Sequence, residues 1–176
     1  KIYTEFARLL DERRSQRRDD LMSALLDAEI DGERLSQEEL LGFCFVLIVA
    51  GNDTTTNLIA NGAVLLADHP DQRKLLVQSP ERIPAAIEEM LRWTTPSPSK
   101  RRTATCDSEL GGHAIRAGDK VLFWEGSANR DEDVFARGMQ FDVRREPNPH
   151  LAFGHGVHFC LGGNLARLEM RVVFEE

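Results

Sequence analysis

Three observations predict a mainly α fold with small β-sheets. Helical apolar periodicity fills most of the chain before residue 95, and short strand-like runs replace it from Lys100 to Asn129. The third is one long helical stretch, built around Leu40 to Gly51, that stands at the centre of the pattern. A glycine-rich loop around a lone cysteine, Phe153-Gly154-His155-Gly156-Val157-His158-Phe159-Cys160-Leu161-Gly162, then leads into a last helical pattern.

The elements follow in order. Ile2, Phe6, Leu9 and Leu10 predict a helix over 2–14, and a second runs from about Asp19 to Ala28. Asp31-Gly32 signals a turn. Ser36 and Glu39 form a capping box that opens a helix with no strong stop before His69-Pro70. That helix is about 33 residues, or roughly 50 Å long. Its first half is apolar all round, so the helix is expected to be buried through the middle of the molecule rather than to lie on the surface. Yet Gly51-Asn52-Asp53-Thr54-Thr55-Thr56, all poor helix-interior residues, interrupt it there, and local rules that fail together mark function or strain. Short helices are predicted at 71–78 and 82–92, the latter stopped by Pro96 and Pro98. Strands are predicted at 102–105, 109–110, 113–115 and 120–124, with turns at Gly111-Gly112 and Ala117-Gly118-Asp119, then a one-turn helix from Asp131 to Phe135.

With 176 residues the chain can bury a sizeable core and reads as one domain over 1–176. Lys1 is not a start residue and Glu176 falls inside a helical pattern, so the expectation is the C-terminal half of a larger domain. The net charge of −7 argues against a nucleic-acid surface. Arg13, Arg14, Arg17 and Arg18 read as a solvated helix end. Three widely spaced cysteines make no disulfide framework and fit a reducing, cytoplasmic compartment. The longest apolar run falls short of the roughly 20 residues that span a bilayer, and no membrane anchor is visible.

Cys160 sits where a loop enters a helix, a place that favours a thiolate. Three chemistries suit it. It could be a nucleophile beside His158, although no orienting Asn or Asp stands out. It could join His150, His155 and His158 around zinc, although that site would hold a single thiol. Or it could be the axial thiolate of a haem iron. That role needs one cysteine, glycines that admit backbone N–H groups near the sulfur, and an apolar flank such as Phe153, Phe159 and Leu161.

The loop resembles the haem-binding signature of the cytochrome P-450 monooxygenases, Phe-Gly-x-Gly-x-His-x-Cys-x-Gly, at each fixed position. Two more stretches resemble that family in the same order. Ala50-Gly51-Asn52-Asp53-Thr54-Thr55 is similar to its oxygen-activation segment, and Glu89-Met90-Leu91-Arg92 to its Glu-x-x-Arg. Ser127-Ala128-Asn129-Arg130-Asp131 resembles the soluble bacterial branch, whereas 136–140 is looser than usual there.

The resemblance implies a partial cytochrome P-450 fold around the long central helix, and haem b (iron protoporphyrin IX) as cofactor. It implies Cys160 as the axial iron ligand, within a cradle that includes Phe153, Gly154 and Gly162. Thr54 would hydrogen-bond dioxygen and Asp53 would relay protons, while Ala50 and Gly51 stay small where the helix passes the haem. His158 and Arg102, with Arg101 as the alternative, would hold the propionates. Glu89, Arg92 and Arg145, with Arg144 as the alternative, would form a structural ion-pair network. His69, His113 and His150 are left as surface residues.

The implied activity is insertion of one oxygen atom from dioxygen into a small apolar substrate, with electrons from a ferredoxin and ferredoxin reductase. The rivals are a peroxide-using peroxygenase and a haem-binding or structural fragment without turnover.

Overall fold

A computed structural model describes all 176 residues, in two compact units, Lys1–Asp53 and Thr54–Glu176. In the first, α1 (Ile2–Ser15) packs on α2 (Leu21–Asp27). Leu10, Leu26 and Leu40 are its buried centre, ringed by Met22, Leu25, Leu35 and Leu41. Asp20 caps α2 by accepting the Ser23 N–H at 2.9 Å, and its carboxylate also takes Arg13. Arg13 is therefore tucked in, with a side chain only 12% exposed, whereas Arg14, Arg17 and Arg18 stay at the surface in exposed ion pairs. The Asp31-Gly32 turn joins two strands that periodicity missed, β1 (Glu29–Ile30) and β2 (Glu33–Arg34), each too short to show alternation.

The capping box is present: the Ser36 N–H donates to Glu39 Oε2 at 2.7 Å, and the Glu39 N–H to Ser36 Oγ at 3.3 Å. It opens α3 (Gln37–Asp68), 32 residues long. Two expectations for α3 need correction. The poor helix formers at 51–56 do not interrupt it, because each costs at most about 1 kcal/mol and buried leucines anchor both ends of the helix. Nor is its middle buried: Val46, Ile48, Val49 and residues 50–53 are exposed. Each unit's core includes only one end of the helix, Leu40 in the first and Leu58 and Leu65 in the second. By length and composition α3 could cross a membrane, a test that core helices of folded domains also pass.

The second unit is organised around α5 (Ile83–Thr94). Its positions 83, 86, 87, 90 and 91 recur at helical spacing and are all buried. They meet Leu58 and Leu65 of α3, Leu76 of α4 (Pro70–Gln78), Phe141, Val143, and Met170 of α7 (Gly163–Glu175). The approach is close: a Cβ on Gly62 would lie 2.9 Å from the Phe174 ring and 3.0 Å from Met90 Sδ.

Beyond α5, β3 (Ser99–Thr103) pairs antiparallel with β6 (Lys120–Trp124), and β4 (Ser108–Leu110) with β5 (His113–Ile115). β3 begins three residues earlier than periodicity suggests, since cross-strand pairing with Trp124 extends it through the polar Ser99-Lys100. The expected helix at 131–135 is a set of turns. The Asp131 side chain takes the Asp133 N–H at 3.0 Å and competes with helical bonding. The short helix instead lies earlier, at α6 (Glu125–Ala128).

Candidate functional site

Glu89 and Arg92 stand one turn apart on the buried face of α5. Arg92 Nε and Nη2 donate to the two Glu89 carboxylate oxygens at 2.7 and 2.8 Å. The remaining guanidinium hydrogens reach the carbonyls of Asn129 (2.6 Å), Gly138 (2.9 Å) and Gln140 (3.0 Å), so all five donors are used. Glu89 accepts in addition from the Asp142 N–H, Arg145 Nε and Asn148 Nδ2, each at 3.0–3.1 Å. Arg145, rather than Arg144, makes the bond; Arg144 turns outward onto Asp142. Arg145 also donates to the carbonyls of Ala136, Arg137 and Gln140, so the loose-looking 136–140 stretch is pinned from two sides.

Asn129, wholly buried, was missed as a site residue. Its Nδ2 donates to Thr95 Oγ1 at 2.9 Å and its Oδ1 takes the Leu151 N–H at 2.7 Å, which ties the end of α5 to the approach of the cysteine loop. The signal was the asparagine within Ser127–Asp131, read for its branch and not for its bonds.

The cysteine loop closes on itself. The Cys160 N–H donates to the Phe153 carbonyl at 2.8 Å, the Phe159 N–H to Gly156, and the Gly163 N–H to Cys160 as α7 begins. Gly154 and Gly156 take φ of +74° and +65°, a left-handed backbone that favours glycine. Cys160 is exposed, as are Phe159 at 53% and Leu161 at 80%.

Beside the loop lies a cavity of about 500 Å³ whose lining includes Lys100, Arg102, Phe123, Leu151, Gly154 and His158. Alternation along β3 explains its cations. Lys100 and Arg102 share one face of the strand, while Arg101 between them points to the other and is absent from the lining. Arg102 lies over the Phe123 ring, 5.8 Å from its centroid. Lys100 pairs with the buried Glu125. The structure thus brings Arg102, Gly154 and His158 to one cavity beside Cys160. Ala50, Gly51 and Asp53 are exposed on α3, and Thr54 follows on the same helix, half-buried.

Two histidines expected at the surface are not there. His69 Nδ1 is bonded to the Leu65 carbonyl at 2.9 Å, and its ring packs on Phe141. The His150 side chain is 4% exposed, with Nε2 bonded to Glu88 Oε2 at 3.0 Å. Single histidines in polar stretches carry no pattern that reveals such burial. Glu88 also takes a two-pronged bond from Arg167, at 2.7 and 3.0 Å. Burial pushes the Glu88 carboxyl up, but the bonds from His150 and Arg167 outweigh it and hold its pKa at about 2.

Comparison with known proteins gives this geometry its context. The cytochrome P-450 family model matches residues 1–82 and 81–176. A methyl-branched lipid omega-hydroxylase of Mycobacterium bovis is 51% identical over 170 residues, covering 96% of this chain and 40% of that protein. A cytochrome P-450 109 of Bacillus spizizenii is 48% identical over 167 residues, covering 95% and 41%. Substrate-free CYP109E1 from Bacillus megaterium superposes with a TM-score of 0.96 at 40% identity, over 99% of this chain and 45% of that one. The chain belongs to the cytochrome P-450 family, and it spans less than half the length of these relatives.

Haem is the cofactor of that family, and the residues present fit it. An exposed thiol lies among exposed apolar side chains, and an arginine and a histidine line the adjoining cavity, as an apolar macrocycle with two carboxylates requires. A Cβ on Gly162 would meet nothing within 4 Å.

Proposed function

We propose that this chain carries the cysteine side of a haem-thiolate monooxygenase and is part of one larger cytochrome P-450 domain. In this reading Cys160 is the axial ligand of haem b, with Phe153, Gly154 and Gly162 shaping its cradle. Arg102 and His158 hold the propionates. Ala50 and Gly51 keep α3 small where it faces the haem, and Asp53 and Thr54 pass protons toward dioxygen. Glu89, Arg92 and Arg145 are structural.

When bound, the haem supplies reductive activation of dioxygen. The net reaction takes a C–H bond of an apolar substrate, one dioxygen, two electrons and two protons, and yields an alcohol and water. A ferredoxin and its reductase deliver the electrons one at a time, docking by complementary charge on the Cys160 side. The chain's own residues orient the group, cover its edge and hold protons at Asp53 and Thr54. Two relatives, the lipid omega-hydroxylase and a steroid C26-monooxygenase of Mycobacterium tuberculosis, support an apolar substrate. Three free cysteines support a cytoplasmic setting.

The observation that carries the reading is the exposed Cys160 in a self-closed loop, next to a cavity lined by Arg102 and His158. Carbon-monoxide difference spectroscopy on the reduced, haem-loaded full-length protein tests it. A strongly red-shifted Soret band is expected, and Cys160→Ala should abolish it. A histidine-type spectrum in the parent would sink the ligand assignment.

A further inference from the structure

We propose that Arg167, pinned by Glu88, is a positioning residue that braces the Phe153–Cys160 loop and holds a fixed cation against that loop, over Phe153. The inference rests on the assignment of Cys160 as the haem ligand.

The geometry begins on α5. Glu88 is the neighbour of Glu89 but faces away from the buried hub, and it meets α7 through the two-pronged bond from Arg167. A forked bond of this kind fixes the plane of the guanidinium as well as its distance. That plane lies over the Phe153 ring, with the guanidinium carbon 4.6 Å from the centroid. Phe153 is the residue whose carbonyl takes the Cys160 N–H, and its ring also packs on Phe159 at 6.2 Å between centroids. The brace is tight. A Cβ on Gly163 would lie 3.5 Å from Arg167 Nη1 and 3.6 Å from the Phe153 ring.

Glu88 holds the other end of the same segment. His150 Nδ1 takes the Ala152 N–H at 3.2 Å, so the ring proton sits on Nε2, which donates to Glu88. One carboxylate therefore grips the loop at its entry, through His150, and at Phe153, through Arg167. The guanidinium so held stands over Phe153, whose carbonyl takes the Cys160 N–H.

A cation fixed against the loop that carries the ligand sulfur favours the state of the iron that carries one more electron. Arg167 would therefore raise the reduction potential of the bound haem. Neutralising it should make the site harder to reduce, and a lysine should restore most of the effect by keeping the charge.

The test uses the haem-loaded full-length protein with Arg167→Gln, Arg167→Lys and Glu88→Gln. Spectroelectrochemical titration should show a more negative potential in Arg167→Gln and near-parental behaviour in Arg167→Lys. Amide hydrogen exchange should become several-fold faster at Cys160 in Glu88→Gln, a variant that keeps shape and covers the case in which Arg167→Gln fails to take up haem. A parent that lacks the red-shifted carbon-monoxide band overturns the ligand assignment before any variant is read. A parent that has the band, with potential unchanged in Arg167→Gln or Cys160 exchange unchanged in Glu88→Gln, overturns the positioning role alone.

Discussion

Arg92 and Glu89 meet through both carboxylate oxygens, at 2.7 and 2.8 Å, with neither side chain exposed to water. Removing either charge strands the other inside the core. Arg92→Leu or Glu89→Leu should therefore cost about 3–5 kcal/mol, enough to unfold a marginal domain. Arg92→Lys should be nearly as damaging, because three donors replace five and the fork is lost. Urea unfolding followed by circular dichroism measures this, and a midpoint matching the parent's would refute it.

Gly138 offers a steric test of the same hub. A Cβ there would lie 2.3 Å from the Arg130 carbonyl oxygen, a backbone atom that cannot swing aside. Its own carbonyl receives Arg92 at 2.9 Å. Gly138→Ala should destabilise by at least the ~1–3 kcal/mol of overpacking, with a lower melting temperature. Gly111→Ala, where the added carbon would meet nothing within 4 Å, serves as a control for space though not for φ.

The Glu88 cluster makes stability depend on acid. Its folded pKa of about 2 lies below the ordinary carboxylate value of 4.5 because the His150 and Arg167 bonds outweigh burial. A depressed folded pKa means the contribution is complete above about pH 4.5 and is lost as pH falls toward 2. Partial exposure limits it to about 1–2 kcal/mol. Glu88→Gln should be less stable than the parent near neutrality, and the gap should close in acid. Unfolding curves at both ends of that range decide the matter; a constant gap would contradict it.

Thr54→Ala in the haem-loaded full-length protein should keep the red-shifted spectrum and the consumption of reductant. Without the hydroxyl, dioxygen should take up two electrons and two protons and leave as hydrogen peroxide, at the expense of alcohol product. Peroxide and product yields per electron pair read this directly. Coupling at the parental level would remove Thr54 from the proton relay.

Local chemistry made most of the fold legible. The Ser36–Glu39 box set the start of α3, and His69-Pro70 set its end. The apolar spacing of α5 predicted its buried face. The strands at 108–110, 113–115 and 120–124 fell where turn residues bounded them. What escaped were properties that depend on partners far along the chain. Exposure of α3 at 46–53 is set by what covers it, and composition cannot report that. Asn129, His150 and Arg167 bond across 22 to 79 positions of sequence. For the candidate site, the cysteine loop was readable because its chemistry is contiguous, whereas setting aside Arg144, the alternative to Arg145, needed geometry.

The saturation of Arg92 constrains evolution in an unexpected currency. Its hydrogen bonds beyond α5 all go to main-chain carbonyls, at 129, 138 and 140, and any amino acid supplies a carbonyl. Exposed side chains through that stretch are thus free to drift, unlike Gly138, the buried Asn129 and Phe135, and Arg130, which donates to the Trp93 carbonyl. Length is not: inserting or deleting one residue between Asn129 and Gln140 would shift the acceptors out of register with a rigid planar fork. The exposed positions of the segment should tolerate substitution far better than the segment tolerates a single-codon insertion or deletion.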